Sequence, residues 1–212
     1  MPSIYQLKPA FQNLLRPWVK KLDHLGVTAN QVTLVAMFIS IALALFLYQY
    51  YLTHPPSYLL LLFPIWMLVR MAFNAIDGML AREFHHQSKL GAFYNELSDV
   101  IADTALYSCL MTFSFIDAKL LLLVTFFAIL SEYTGVMAPL VGAERRYDGP
   151  MGKSDRAFAF GFLATFIFVF SLISNRSDIL SYIINGVLAI MLILLMMTIY
   201  NRIKNSIQAS SI

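Results

Sequence analysis

Apolar residues dominate six stretches, about Gln31 to Tyr50, Tyr58 to Leu80, Leu90 to Phe115, Leu120 to Val141, Ala157 to Ile173 and Leu180 to Tyr200. Each approaches or exceeds the roughly 20 residues that cross a bilayer as a helix. Polar breaks separate them: Thr53–Ser57 with its Pro55-Pro56 pair, Arg82–Leu90, Ile116–Lys119, Gly142–Arg156 and Ser174–Asp178. Upstream, Leu7, Phe11, Leu14, Leu15, Trp18, Val19 and Leu22 recur at three-four spacing opposite Lys8, Gln12, Asn13, Arg16, Lys20 and Lys21. That alternation predicts an amphipathic helix over Tyr5–Leu25 lying in the membrane interface, with a weaker reading as a lid over a site. Pro17 is expected to kink it, and Asn30 is the candidate N-cap of the first span. The expected architecture is an all-α integral membrane protein, with an N-terminal amphipathic interfacial helix (1–27) before a six-transmembrane-helix domain (28–212).

Two of the spans are not uniformly apolar. Arg70, Asn74, Asp77 and Ala81 fall at i, i+4, i+7 and i+11, on one helix face, and Gly91, Asn95, Asp99 and Asp103 repeat every four residues on the next span. Arg82–Leu90 joins the two as a water-side turn, so an antiparallel hairpin brings the polar rows together. At 1.5 Å of rise per residue, Asp77 and Asn95 lie about 6 to 8 Å deep. Asn74 and Asp99 lie at about 12 Å, and Arg70 and Asp103 at about 18 Å, level enough for a salt bridge. An ionisable residue costs at least about 2.5 to 3.5 kcal/mol at membrane depth, so the cluster points to function. Oxygen donors in a semi-enclosed pocket suit Mg2+ or Mn2+. Gly78, Ala81 and Gly91 let a ligand or the partner helix approach the backbone, and Arg82 either grips a phosphate or marks the membrane edge.

Composition agrees. Of 212 residues 59% are hydrophobic and 13% charged, with a mean hydropathy of +0.69. The net charge of +3 matters through its placement. Lys8, Arg16, Lys20, Lys21, Arg82, Lys89, Arg145, Arg146, Lys153, Arg156, Arg202 and Lys204 fall on one side of a six-span chain, and Lys119 and Arg176 on the other. Positive-inside reasoning makes the first side cytoplasmic, so the acidic site opens where nucleotides are. The lone Cys109 excludes an intrachain disulfide and a thiolate metal site. The N-terminus shows no cleavable signal pattern. Basic residues flank spans rather than line a groove, which argues against nucleic-acid binding. His85 and His86 are adjacent, splay apart, and are expected to be solvated. The loop carrying Arg145, Arg146, Lys153 and Arg156 either only sets topology or forms an anion pocket.

Asn74-x2-Asp77-Gly78-x2-Ala81-Arg82-x8-Gly91-x3-Asn95-x3-Asp99 resembles the signature of the CDP-alcohol phosphotransferases, D-x2-D-G-x2-A-R-x8-G-x3-D-x3-D. It matches in spacing throughout, and in identity everywhere but Asn74 and Asn95. The resemblance implies that Asp77 and Asp99, with Asn74 and Asn95, hold Mg2+ or Mn2+. It further implies that Asp99 is the general base, and that Gly78, Ala81, Arg82 and Gly91 contact the CDP moiety. In that family a basic loop helps bind phosphorylated acceptors or headgroups, the place here of Arg145, Arg146, Lys153 and Arg156. Two asparagines lower the formal charge of the four motif positions from four negatives to two, which favours one cation over two. Glu132, Asp103 and, ranked below Glu132, Glu96 are candidates to restore charge.

The function so implied is transfer of a phosphatidyl group from a CDP-alcohol lipid, such as CDP-diacylglycerol, to an alcohol acceptor with release of CMP. It would occur in the inner membrane at the cytoplasmic face, in phospholipid biosynthesis, with a homodimer open as an assembly. A catalytically attenuated homologue that binds a lipid nucleotide or assists a partner enzyme is the alternative. A proton or ion carrier ranks last, because beyond Asp103 the third span carries little charge.

Overall fold

The computed structural model describes residues 8–174 and 176–210. Tyr5 and Leu7 of the expected amphipathic stretch lie outside them, as does Asn175 of the last loop. Among the described residues there are seven α-helices and no strands. They are α1 (Lys8–His24), α2 (Ala29–Tyr51), α3 (Leu62–Glu83), α4 (Lys89–Ser108), α5 (Ala118–Met137), α6 (Lys153–Ile173) and α7 (Ser177–Ser210). Short 3-10 turns, Tyr58–Leu61, Cys109–Thr112 and Ala138–Val141, lead into α3 and follow α4 and α5. Five helical segments are long and apolar enough to cross a membrane: Ala29–Tyr51, Tyr58–Glu83, Ala118–Val141, Lys153–Ile173 and Ser177–Ala209. The sixth expected span, α4, carries Lys89, Glu96, Asp99 and Asp103 and is not among them.

Element boundaries follow local chemistry. α2 begins one residue before Asn30, because Thr28 and Gln31 cap it reciprocally: the Gln31 N–H donates to Thr28 Oγ1 (3.3 Å) and the Thr28 N–H to Gln31 Oε1 (2.9 Å). Asn30, expected as the cap, is released for another use. α6 starts at Lys153, inside the segment expected to be loop, because the Gly152 N–H donates to Asp155 Oδ2 (3.0 Å) and satisfies an otherwise orphaned donor. α1 continues through Pro17. Pro139 falls in the 3-10 turn that tightens the end of α5 before Gly142 at φ +80°.

The chain divides into two compact units. One takes in α1, α2 as far as Ala42, and Trp66–Asp103; the other takes in Leu43–Ile65 and the chain from Thr104 onward. In the first, Val19, Ala29, Val32, Met79 and Leu80 form a buried cluster flanked by Leu15, Phe73, Ile76 and Phe84. It packs α1, α2 and α3 together. In the second, α5 and α7 pack side by side, the Tyr107 and Phe160 rings stack with centroids 3.8 Å apart, and Asp117 Oδ1 caps α5 by accepting from Lys119 and Leu120 N–H.

Candidate functional site

Within the first unit a cavity of about 590 Å³ opens between the start of α2, the end of α3 and the start of α4. Asp77, Gly78, Ala81 and Arg82 line it from α3, Gly91 and Asn95 from α4. The shallow pair expected from helical rise, Asp77 and Asn95, therefore shares one cavity. Neither Asn74 nor Asp99 is among its lining residues. The Asp77 side chain is buried, 3% exposed, and its Oδ2 accepts from Thr33 Oγ1 at 2.7 Å.

Small residues have specific uses here. The Arg82 guanidinium folds back over Gly78, so that a Cβ on Gly78 would lie 2.6 Å from Arg82 Nη2. A Cβ on Gly91 would meet Asn30 Oδ1 at 2.6 Å and Ser88 Oγ at 2.9 Å. Glycine at 91 thus lets α4 close on the start of α2.

The deeper polar residues make a second group in the same unit. Arg70, 4% exposed, donates from Nη1 to Asp103 and from Nη2 to Asp99 Oδ1 (3.2 Å) and to the Asp99 carbonyl (3.3 Å). The Arg70–Asp103 salt bridge is the one that helical rise anticipates. The bond to Asp99 is additional, and arises because Asp99 stands one turn before Asp103 on the same face.

Several contributors carried weaker sequence signals. Asn30 and Thr33 project from α2 into the cavity wall; their i, i+3 spacing in an apolar span was the available clue. Glu96 lines the cavity beside Asn95, whereas Glu132 and Asp103, the other candidates for restoring charge, are held by arginines. His86, expected to be solvated, lines the cavity with Nε2 3.1 Å from Asp23 Oδ1. The preceding His85 takes a left-handed φ of 60°.

The basic loop belongs to the second unit, and its arginines are engaged. Arg156, 1% exposed, donates to Glu132 Oε1 (3.0 Å), Ser131 Oγ (3.2 Å) and the Met151 carbonyl (3.3 Å). Arg145 Nη2 lies 3.8 Å from Glu132 Oε2, with its guanidinium over the Tyr147 ring. Arg146 Nε donates to Asp148 Oδ1 at 2.8 Å. Arg202, outside the expected set, donates to the carbonyls of Ser131, Tyr147 and Asp148 and stands 3.5 Å from Glu132 Oε1. Lys153 is half-buried in the first turn of α6.

Among the described residues no three His, Cys, Asp or Glu side chains form a metal-ligating group. The cavity instead offers the Asp77 and Glu96 carboxylates and the Asn95 carboxamide. These are hard oxygen donors, a set that fits one hard divalent cation completed by water or substrate oxygens. Two such cations sharing so few charges would be poorly neutralised.

The fold and this cavity define a helical protein of apolar, membrane-length segments with a cavity edged by acidic, amide and basic side chains. Residues 26–200 match the CDP-alcohol phosphatidyltransferase family model, and the chain belongs to that family of transferases, whose members generally use divalent metals. It is 45% identical over 159 residues to the inner membrane protein YnbA of Escherichia coli K12, covering 75% of this chain and 77% of that protein. It is also 28% identical over 129 residues to an uncharacterized protein of Aquifex aeolicus, covering 60% of this chain and 62% of that one.

Proposed function

We propose that this chain transfers a substituted phosphate from a CDP-alcohol lipid, CDP-diacylglycerol being the expected donor, to an alcohol acceptor. The acceptor oxygen bonds to the phosphorus that carries the lipid, the pyrophosphate P–O bond breaks, and CMP leaves with its electron pair. The observation that carries this reading is the meeting of Asp77, Gly78, Ala81, Arg82, Gly91 and Asn95 around one cavity in a chain of this family.

In this proposal Gly78, Ala81 and Gly91 admit the CDP moiety close to the backbone, and the Arg82 guanidinium grips a phosphate. Asp77 and Asn95, with Asn74 and Asp99, are the residues assigned to Mg2+ or Mn2+. That ion, when bound, neutralises charge on the pyrophosphate and the leaving CMP. Asp99, oriented by Arg70, accepts the hydroxyl proton of the acceptor. Arg145, Arg146, Lys153 and Arg156 are assigned to a phosphorylated or headgroup-bearing acceptor. Arg145, Arg146 and Lys153 are the more accessible of the four, while Arg156 shapes the loop from beneath.

We read α4 as the sixth span of a domain over 28–212, because Arg70 compensates Asp99 and Asp103 and so reduces the cost of their depth. α1 is read as interfacial: Leu14 and Trp18 are exposed on one side while Val19 is buried on the other. The name of the Escherichia coli relative and the placement of basic residues support an inner-membrane protein with its site facing the cytoplasm.

The Arg70–Asp99 ion pair and the asparagines at 74 and 95 favour a second reading, a catalytically attenuated homologue that binds a lipid nucleotide or assists a partner enzyme. The test uses purified protein in lipid with labelled CDP-diacylglycerol, a panel of alcohols, and Mg2+ or Mn2+. Metal-dependent CMP release that Asp99→Asn abolishes supports the enzyme. CDP binding without release for any acceptor supports the second reading.

A further inference from the structure

Thr33 sits on α2, 8% exposed, with Oγ1 2.7 Å from Asp77 Oδ2 and 3.1 Å from the carbonyl of Ala29. A threonine hydroxyl has one proton, so it donates to only one of these at a time. Two oxygens at 2.7 Å, one of them a carboxylate's, share a proton between them, and the shorter, charge-assisted bond takes it. Other threonines in the apolar helices behave differently. Thr125, Thr134 and Thr165 bond only the carbonyl four residues back, the usual way to satisfy a hydroxyl in such a setting. Thr33 has that same seat available and a shorter partner across the helix interface.

We propose that Thr33 is a positioning residue for Asp77. It pins Oδ2 against the α2 wall and thereby sets the plane in which the carboxylate meets the cavity. The need for it is physical: the terminal torsion of aspartate is broad, so a carboxylate on α3 does not orient itself. Both residues line the same cavity. This inference rests on the phosphotransferase reading of the cavity.

The experiment measures Mn2+ binding by the electron paramagnetic resonance of free Mn2+, on full-length protein in lipid nanodiscs, beside thermal unfolding. Wild type, Thr33→Val, Thr33→Ser and Asp77→Asn are compared. Loss of a hydrogen bond to a charged group predicts about tenfold weaker Mn2+ binding in Thr33→Val. Thr33→Ser should bind as wild type does, and Asp77→Asn should not bind measurably. In turnover the Thr33→Val defect should fall on the metal concentration at half-maximal rate, with kcat at saturating metal retained. Thr33→Ala serves if the valine variant does not fold, with the same tenfold expectation. Wild-type affinity in the valine or alanine variant, or a tenfold loss in the serine variant, overturns the positioning role while leaving the cavity's reading intact. Absence of Mn2+ binding in folded wild type overturns both.

Discussion

Arg70 Nη2 lies 3.2 Å from Asp99 Oδ1 while Nη1 of the same guanidinium binds Asp103, so one buried cation on α3 serves two carboxylates on α4. Its planar fork suits it to both at once, which a lysine could not match. Removing it strands two partly buried negative charges. Arg70→Met should therefore destabilise the protein by about 3 to 5 kcal/mol, read as denaturant unfolding in detergent. Adding Asp103→Leu should recover part of the loss. A cost near zero for Arg70→Met would show that water reaches these carboxylates freely.

The converse arrangement holds at Glu132, one carboxylate facing Arg156 and Arg202, both 1% exposed. Glu132→Leu removes the carboxylate that faces two buried guanidiniums. A loss of about 3 to 5 kcal/mol is expected, with faster proteolysis at 143–152, whose carbonyls Arg202 holds. Unchanged stability and cleavage would show that backbone acceptors alone satisfy the arginines.

Two glycines in that loop separate backbone conformation from space. Gly142 has φ +80° with nothing near its missing Cβ, whereas Gly149 has φ +124° and a Cβ there would lie 2.6 Å from Thr198 Cγ2. Gly142→Ala should cost about 1 kcal/mol. Gly149→Ala should cost about 2 to 4 kcal/mol, from backbone strain and overpacking together. Equal melting temperatures for the two variants would contradict this packing.

Much of this was legible before any coordinates, because apolar run length and three-four spacing are strong signals. The polar rows of α3 and α4 and the Arg70–Asp103 contact follow from helical rise alone. What escaped depended on neighbours that spacing within one helix cannot show. Asn30 is the natural cap candidate until Thr28 and Gln31 are seen to take that role, and Glu96, ranked below Glu132, lines the cavity while Glu132 does not. Arg156 looked like a loop residue because the capping by Asp155 that draws it into α6 depends on backbone geometry at Gly152.

Asp148 gives a pH signature. Its partial burial pushes the carboxyl up, but hydrogen bonds from Arg146 and Asn205 outweigh that and hold it below its ordinary value of 3.8. A carboxyl depressed in the folded state contributes stability that is fully present above the unfolded value and lost as pH falls through the folded one. Wild type and Asp148→Asn should accordingly differ by a constant amount above about pH 5 and converge on acidification below about pH 4. A gap that does not narrow there would contradict the ion-pair account.

The central claim, that the cavity around Asp77 is where a CDP-alcohol is cleaved, is tested most directly by CMP release from labelled CDP-diacylglycerol. Wild type and Asp77→Asn would be compared at the Mg2+ or Mn2+ concentration that saturates wild type, with a panel of alcohols, after both are shown to be folded. Metal-dependent release by wild type, reduced at least about 100-fold in Asp77→Asn, is the predicted result, as for loss of a charged group acting at the transition state. Release at the wild-type rate by Asp77→Asn would contradict it.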